Sequence, residues 1–316
     1  MTGILLDTLV TGLPLVITYA GVFVLFRVLR DFDLTVDGSF VTGGAASAVL
    51  VGHGMAPSLS LPAAALVGAA AGLVTAVLHL TLKIPVLLAG LVMSLALFSV
   101  NLRIMGEPAI SLATGQGLLD GFADLGPDAR DLWISGVLLV LDVAVLGLAA
   151  YFLRTEAGLA LRATGLNPVM ARAQGVAQGG AVAVTLMLAN ALAALGGALT
   201  VHTQGYLDVN GGTGTLIAGV GALLLGDLVL RPEPSRVVKA MAAVLVGALL
   251  YQFVQVMALR LGLAASDLKL VTAATLTLAV AAQILTRRIG GWLPAWAVRR
   301  PRGGHRDLGE RLARTP

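Results

Sequence analysis

Cysteine is absent from the 316-residue chain, so neither a disulfide framework nor a thiolate metal site is open to it. Charge is scarce as well. Asp, Glu, Lys and Arg make up 12% of the residues, about half of the roughly 25% of an ordinary soluble domain. No GxxxxGKS or GxxxxGKT segment occurs, which excludes a P-loop, so any use of ATP falls to another subunit. The four histidines, His53, His79, His202 and His305, lie far apart without metal-ligand spacing. They are expected in loops, at interfaces and in the tail. No metal or other cofactor is expected, no Ser–His–Asp arrangement is suggested, and the chain reads as a non-enzyme. The N-terminus has no basic stretch, and Asp7 is its first charge. The first apolar run is therefore read as a retained span and not a cleaved signal peptide.

Apolar residues fill the space that charge leaves. They make up 57% of the chain, with 39 glycines besides. A soluble core of this length does not hide that much apolar surface, so the fold class is all-α and polytopic, in a lipid bilayer. At about 20 apolar residues per crossing, about nine spans are expected, with eight or ten as alternatives. They are residues 3–26, 34–52, 61–82, 85–100, 132–153, 179–201, 213–230, 237–257 and 268–285. With the tail inside, only Arg103, Arg130, Arg260 and Lys269 of the 21 basic residues fall outside. The positive-inside rule then puts the N-terminus outside and the C-terminus in the cytoplasm. The net charge of +4 needs no nucleic acid, because Arg287, Arg288, Arg299, Arg300, Arg302, Arg306, Arg311 and Arg314 crowd the C-terminus. The domains follow: a membrane domain at 1–286 and a flexible basic tail at 287–316. The outer loop 101–131 is the longest and is acidic, with Glu107, Asp120, Asp124, Asp128 and Asp131. It is the expected surface for an external partner.

Three aspartates crowd the stretch DFDLTVDGSF, 31–40, at the inner end of the first two spans. Asp31 and Asp33 are expected to pair with Arg27 and Arg30 at the interface, where charge is cheap. Asp37 sits among Thr35, Gly38, Ser39, Thr42, Gly43 and Gly44, all poor helix formers or small. The second span is therefore expected to be interrupted, with Asp37 accepting bonds from freed backbone amides. Asp142, near the middle of the fifth span, costs about 2.5–3.5 kcal/mol to insert and must face protein or water. It either lines a pathway or pairs with a neighbouring helix, and Asn190 in the sixth span has the same two readings. GAAAG at 68–72 matches the GxxxG pattern of close helix contact, a weak signal in so glycine-rich a chain.

The segment 154–178 between spans five and six is too long for a simple turn. Within it NPVMARAQ, 167–174, reads as a short helix, with Asn167 as N-cap, Pro168 at the first position and Gly175 just past the end. Val169, Met170 and Ala173 share one face, with Arg172 elsewhere. Such a helix suits either a groove on another protein or the lipid surface.

FDLTVDGSF (32–40), LRIMGEPAISL (102–112), LRATGLNPVMARAQGV (161–176), GTGTLIAGVGALLLGD (212–227) and SDLKLVTA (266–273) occur in this order along most of the chain. Together they resemble the permease subunits of bacterial ABC importers of the branched-chain amino acid/ribose permease superfamily. The nearest resemblance is to the subgroup encoded with a tryptophan-type substrate-binding lipoprotein. Two departures stand out: Asp227 where members often carry Glu, and Val41 after Phe40 where they usually carry Pro. The resemblance implies an ABC importer in a bacterial plasma membrane. Its partners are a second copy of the chain, a separate ATPase dimer inside and a binding protein outside that delivers a small solute, an amino acid of aromatic type. It also implies that Gly165, Asn167, Met170, Ala171 and Gly175, with Pro168 and Arg172 in the same segment, touch the ATPase. A sugar or nucleoside permease of the same superfamily remains an alternative. Two others are an ion-coupled transporter using Asp37 and Asp142, against which no inverted repeat is evident, and a membrane scaffold that recruits partners through the basic tail.

Overall fold

The computed structural model describes residues 2–112, 117–119, 126–233 and 236–292, with side chains from residue 3 to residue 285 except at Ala265. Asp120, Asp124 and the tail beyond residue 292 lie outside the described residues. Helix α1 (Thr2–Phe23) passes into a π turn (Val24–Leu29), and α2 (Thr35–Gly52), α3 (Pro57–Leu82) and α4 (Val86–Met105) follow. Strand β1 (Ala109–Ser111) precedes α5 (Pro127–Phe152), then the short α6 (Glu156–Leu166) and α7 (Pro168–Ala173), then α8 (Gln178–Gln204). Strand β2 (Tyr206–Asp208), α9 (Thr215–Leu230), α10 (Val237–Arg260) and α11 (Leu268–Trp292) complete the order.

Seven of the described helices are long and apolar enough to cross a membrane: α1 with its π turn, α3, α4, α5, α8, α10 and α11. The expected second and seventh spans are also helices, α2 and α9. However, α2 is rich in small and polar residues and α9 has only 16 residues. Several helix ends lie away from the edges of the apolar runs. Helices α3 and α5 start earlier than expected because Pro57 and Pro127 open them, a position where the missing N–H costs nothing. Helix α4 runs on to Met105 and stops at Gly106, which adopts φ 76° and so ends the helix without a Cβ clash.

Helices α1 and α8 form the centre. On α1, Leu13, Val16, Ile17 and Val22 are all fully buried, as are Val24 and Leu25 of the π turn. Around α1 pack α5, α8, α9 and α10. Helix α8 is clasped by α1, α2 and α3. The bond from Ser39 to Asn190 and the approach of Gly43 to Ala194 show that α2 and α8 run parallel. The GAAAG stretch has a clear role here. A Cβ on Gly68 would collide with the Asn190 carbonyl, and one on Gly72 with that of Leu186, so α3 lies backbone to backbone on α8. Helix α11 lies outermost, tied in by Thr272, which hydrogen-bonds Tyr251 at 2.7 Å and accepts from Gln255 at 3.0 Å.

Two features correct the sequence reading. The second span is not interrupted: α2 is continuous from Thr35 to Gly52, with Asp37 in its first turn. The break precedes it, at residues 30–34, where Arg30 takes a left-handed conformation (φ 62°) and the chain turns inward to a fully buried Asp33. The acidic loop also contributes structure that hydropathy does not announce. Strands β1 and β2 pair antiparallel, Ile110 opposite Leu207. They cover a small cluster of Phe40, Val41, Met105, Val201 and Val209.

Candidate functional site: the coupling segment and a polar seam

The segment after α5 folds as two helices joined at one residue. Thr155 caps α6, accepting from Gly158 N at 3.3 Å. Asn167, extended at φ −152° and ψ 95°, ends α6 and caps α7, its Oδ1 accepting from Met170 N at 3.0 Å. Pro168 opens α7, and Gly175 lies past its end at φ 84°. Arg172 donates to Gln178 Oε1, and the Gln178 amide donates to the Pro168 carbonyl, which ties both ends of α7 to the start of α8. This frame holds Val169 and Met170 outward, 78% and 54% exposed, with Ala173 exposed beside them. Ala171 faces the other way and is buried. Gly165 is half-buried, and its backbone rests on the π turn, where a Cβ would strike the Val28 carbonyl. So of the seven residues singled out in this segment, Met170 presents a surface, while Gly165 and Ala171 attach the segment to the body.

The expected pairing of Asp31 and Asp33 with Arg27 and Arg30 does not form. Arg27 instead reaches Asp227 on α9. Asp33 takes only neutral donors. Its Oδ1 accepts from Thr35 N at 2.8 Å, and its Oδ2 accepts from Asn190 Nδ2 at 2.8 Å. Burial pushes the Asp33 carboxyl up from the ordinary carboxylate range, and the bonds from Thr35 and Asn190 hold it down. Asn190 Oδ1 in turn accepts from Ser39 at 2.8 Å, and Thr35 meets Thr75 at 2.8 Å. Asn190 is thus the centre of a seam joining α2 and α8 to the Asp33 turn, with Thr35 carrying it on to α3. Every Asn190 side-chain group in it has a partner.

Asp37 makes a different connection. Its Oδ2 accepts from Gly214 N at 2.9 Å and its Oδ1 from Leu216 N at 2.8 Å. The first amides of α9 have no partner within that helix, and Gly214 has no side chain to offer. A carboxylate from α2 therefore caps α9 and meets the positive end of its dipole. Freed amides were expected to surround Asp37, and they do, but they belong to α9 and not to its own helix. Replacing Asp37 by Ala is expected to cost about 1–2 kcal/mol, the range for a lost cap. The check is a lower melting temperature of the purified protein, with α9 the first segment to exchange its amide protons.

Asp142 does not join this seam. It lies on α5, 1% exposed, and neither of its oxygens has a hydrogen-bond partner among the described residues. Of the two readings, pathway or paired, the second is not met among the described residues. His202, expected in a loop or at an interface, is buried between α2 and α3. Leu118 N donates to its Nδ1 at 3.2 Å, so in the neutral ring Nε2 carries the proton. That proton faces Ser47 at 3.0 Å and Ser60 at 3.3 Å. Replacing His202 by Leu is expected to cost about 1–3 kcal/mol by leaving the Leu118 amide without its acceptor, while Ser47 and Ser60 keep each other at 2.7 Å. A denaturation midpoint unchanged from that of the parent protein would refute the role. Nothing in the spacing of the histidines signals this site, because its partners come from two other helices and a loop.

An apolar bundle with seven described helices long and apolar enough to cross a membrane is that of a multi-pass membrane protein. Residues 4–281 match the family described as the branched-chain amino acid transport system / permease component, and the chain belongs to that family of ABC permeases. It is 34% identical over 274 residues to the tyrosine transport system permease protein of Clostridioides difficile, covering 86% of this chain and 88% of the relative. It is 30% identical to an uncharacterized protein of Rickettsia prowazekii, covering 82% and 89%. To the ribose import permease protein of Escherichia coli strain K12 it is 27% identical, covering 77% and 70%. No solved structure matches the chain.

Proposed function

We propose that the chain is the membrane-spanning subunit of an ATP-driven importer that brings an amino acid, of aromatic type, into a bacterial cell. All nine apolar helices cross the membrane in this reading, with the N-terminus outside and the basic tail in the cytoplasm. Two copies form the route, an ATPase dimer docks beneath them, and an external binding protein delivers the solute. Binding of ATP draws the two docked helix pairs together, and the bundle opens alternately to each side.

The observation that carries this reading is α7. A six-residue helix capped at Asn167 and braced by Arg172 and Gln178 spends its rigidity on holding Val169 and Met170 in the open. Apolar side chains held out on a rigid knob are matched by a groove on a partner. The name of the Clostridioides difficile relative supports tyrosine or a similar solute. The ribose permease at lower identity keeps a sugar as the second reading.

The test is reconstitution of the chain in liposomes with an ATPase subunit and binding protein that copurify with it. ATP-dependent uptake of tyrosine or tryptophan is the expected result. Uptake driven by an ion gradient without the ATPase would overturn the reading, and a binding protein that holds only ribose-type sugars would replace the solute.

A further inference from the structure

The π turn at the end of α1 stands between the coupling segment and the bundle. A π turn holds one residue more than the α-helix accommodates, and such turns recur at functional sites. This one ends on Arg30, a non-glycine residue at φ 62°, a conformation that only its surroundings hold in place. Among those surroundings are α6 and α8. Gly165 lies directly on the Val28 carbonyl, and a Cβ there would also come within 3.0 Å of the Leu29 carbonyl. Through Asn167, α6 continues into the exposed α7. Any displacement of α7 therefore bears on the backbone of the π turn without an intervening side chain to absorb it.

From the same turn, Arg27 crosses to Asp227, one turn from the end of α9. The only other ion pair of α1 among the described residues, Asp7 with Arg260, lies at the opposite end and holds α10. Beside the Arg27–Asp227 pair the bundle is not packed solid. A cavity of about 480 Å³ opens there, walled by Phe26, Leu166 and Leu224 and by the charged Arg30, Arg162 and Glu233. Close-packed interiors resist small shifts, whereas this space gives the ends of α1 and α9 room to separate.

We infer that Arg27 and Asp227 are positioning residues that latch the inner ends of α1 and α9, and that the coupling segment releases the latch by shifting the π turn through Gly165. The inference rests on the proposed function. In the resting state the pair is closed and the inner side is shut. When α7 is drawn inward, the turn moves, the pair parts and the cavity becomes the opening.

The test uses the full transporter, with ATPase and binding protein, in liposomes. Arg27→Gln or Asp227→Asn is expected to raise ATP hydrolysis without solute and to lower the solute taken up per ATP by about tenfold, within the usual span of coupling between sites. The exchanged pair Arg27→Asp with Asp227→Arg is expected to restore the ratio, which a merely structural role does not require. Gly165→Ala is expected to lower the same ratio with both charges intact. As a second measurement, cysteines at 27 and 227, which unbridged should show the lowered ratio of the single variants, are expected to lose uptake altogether when joined by a short thiol reagent and to regain the unbridged level on reduction. Unchanged ratios in both single variants, or full transport with the bridge closed, would overturn the latch. Failure of the parent transporter to use ATP at all would instead overturn the proposed function on which it rests.

Discussion

Replacing Met170 by Asp is expected to abolish transport while the permease still folds and inserts. Met170 is more than half exposed and makes no contribution to the core. Surface changes of this kind alter stability by about 0.5 kcal/mol or less. In the proposed complex, however, the same side chain enters an apolar groove, where an unpaired carboxylate costs several kcal/mol. At about 1.4 kcal/mol per factor of ten, that loss removes most of the docked complex. The ATPase should fail to copurify, and uptake should fall to background. An intact complex with ordinary uptake would show that the groove lies elsewhere.

The second large effect is expected in the middle of the bundle. Gly197 on α8 faces α2 so closely that a Cβ would meet the Phe40 carbonyl oxygen, with its carbon at 2.7 Å and its Cα at 3.2 Å. Those atoms are backbone and have no rotamer to escape into. Valine at 197 must push the two helices apart, and the Ser39–Asn190–Asp33 bonds span that same interface. A loss of roughly 3 kcal/mol is expected, at the upper end for overpacking. It is to be read as a lowered melting temperature and a poor yield of folded protein. Gly147 on α5 provides the contrast, since nothing lies within 4 Å of its missing Cβ. Alanine there should leave stability unchanged or raise it, because glycine is about 1 kcal/mol worse than alanine inside a helix. Equal behaviour of the two variants would contradict the account of how α2 and α8 pack.

What could be read from the residues alone was what depends on near neighbours. Every apolar run became a helix, because in a bilayer the backbone must satisfy itself within the segment. Asn167, Pro168 and Gly175 mark the ends of α7, and they do so by contacts within a few residues. What stayed hidden were choices between distant partners. Arg27 has Asp31 four positions away and pairs with Asp227 instead, 200 positions on. Asp37 was legible as a residue that needs amides, but the amides belong to a helix that begins at residue 215. The low helix propensity of residues 35–44 read as a break, yet the segment is helical, because its small residues let it lie against α8 at backbone distance. Packing outweighed propensity there.

The absence of cysteine makes the central claim directly measurable. A single cysteine at Val169, which is 78% exposed, is the sole thiol in the molecule. In intact cells, a membrane-impermeant thiol reagent is expected to leave it untouched. In inverted vesicles the reagent should modify it, and added ATPase should shield it. Modification from the outside of intact cells would contradict the claim that this helix is the inner docking point.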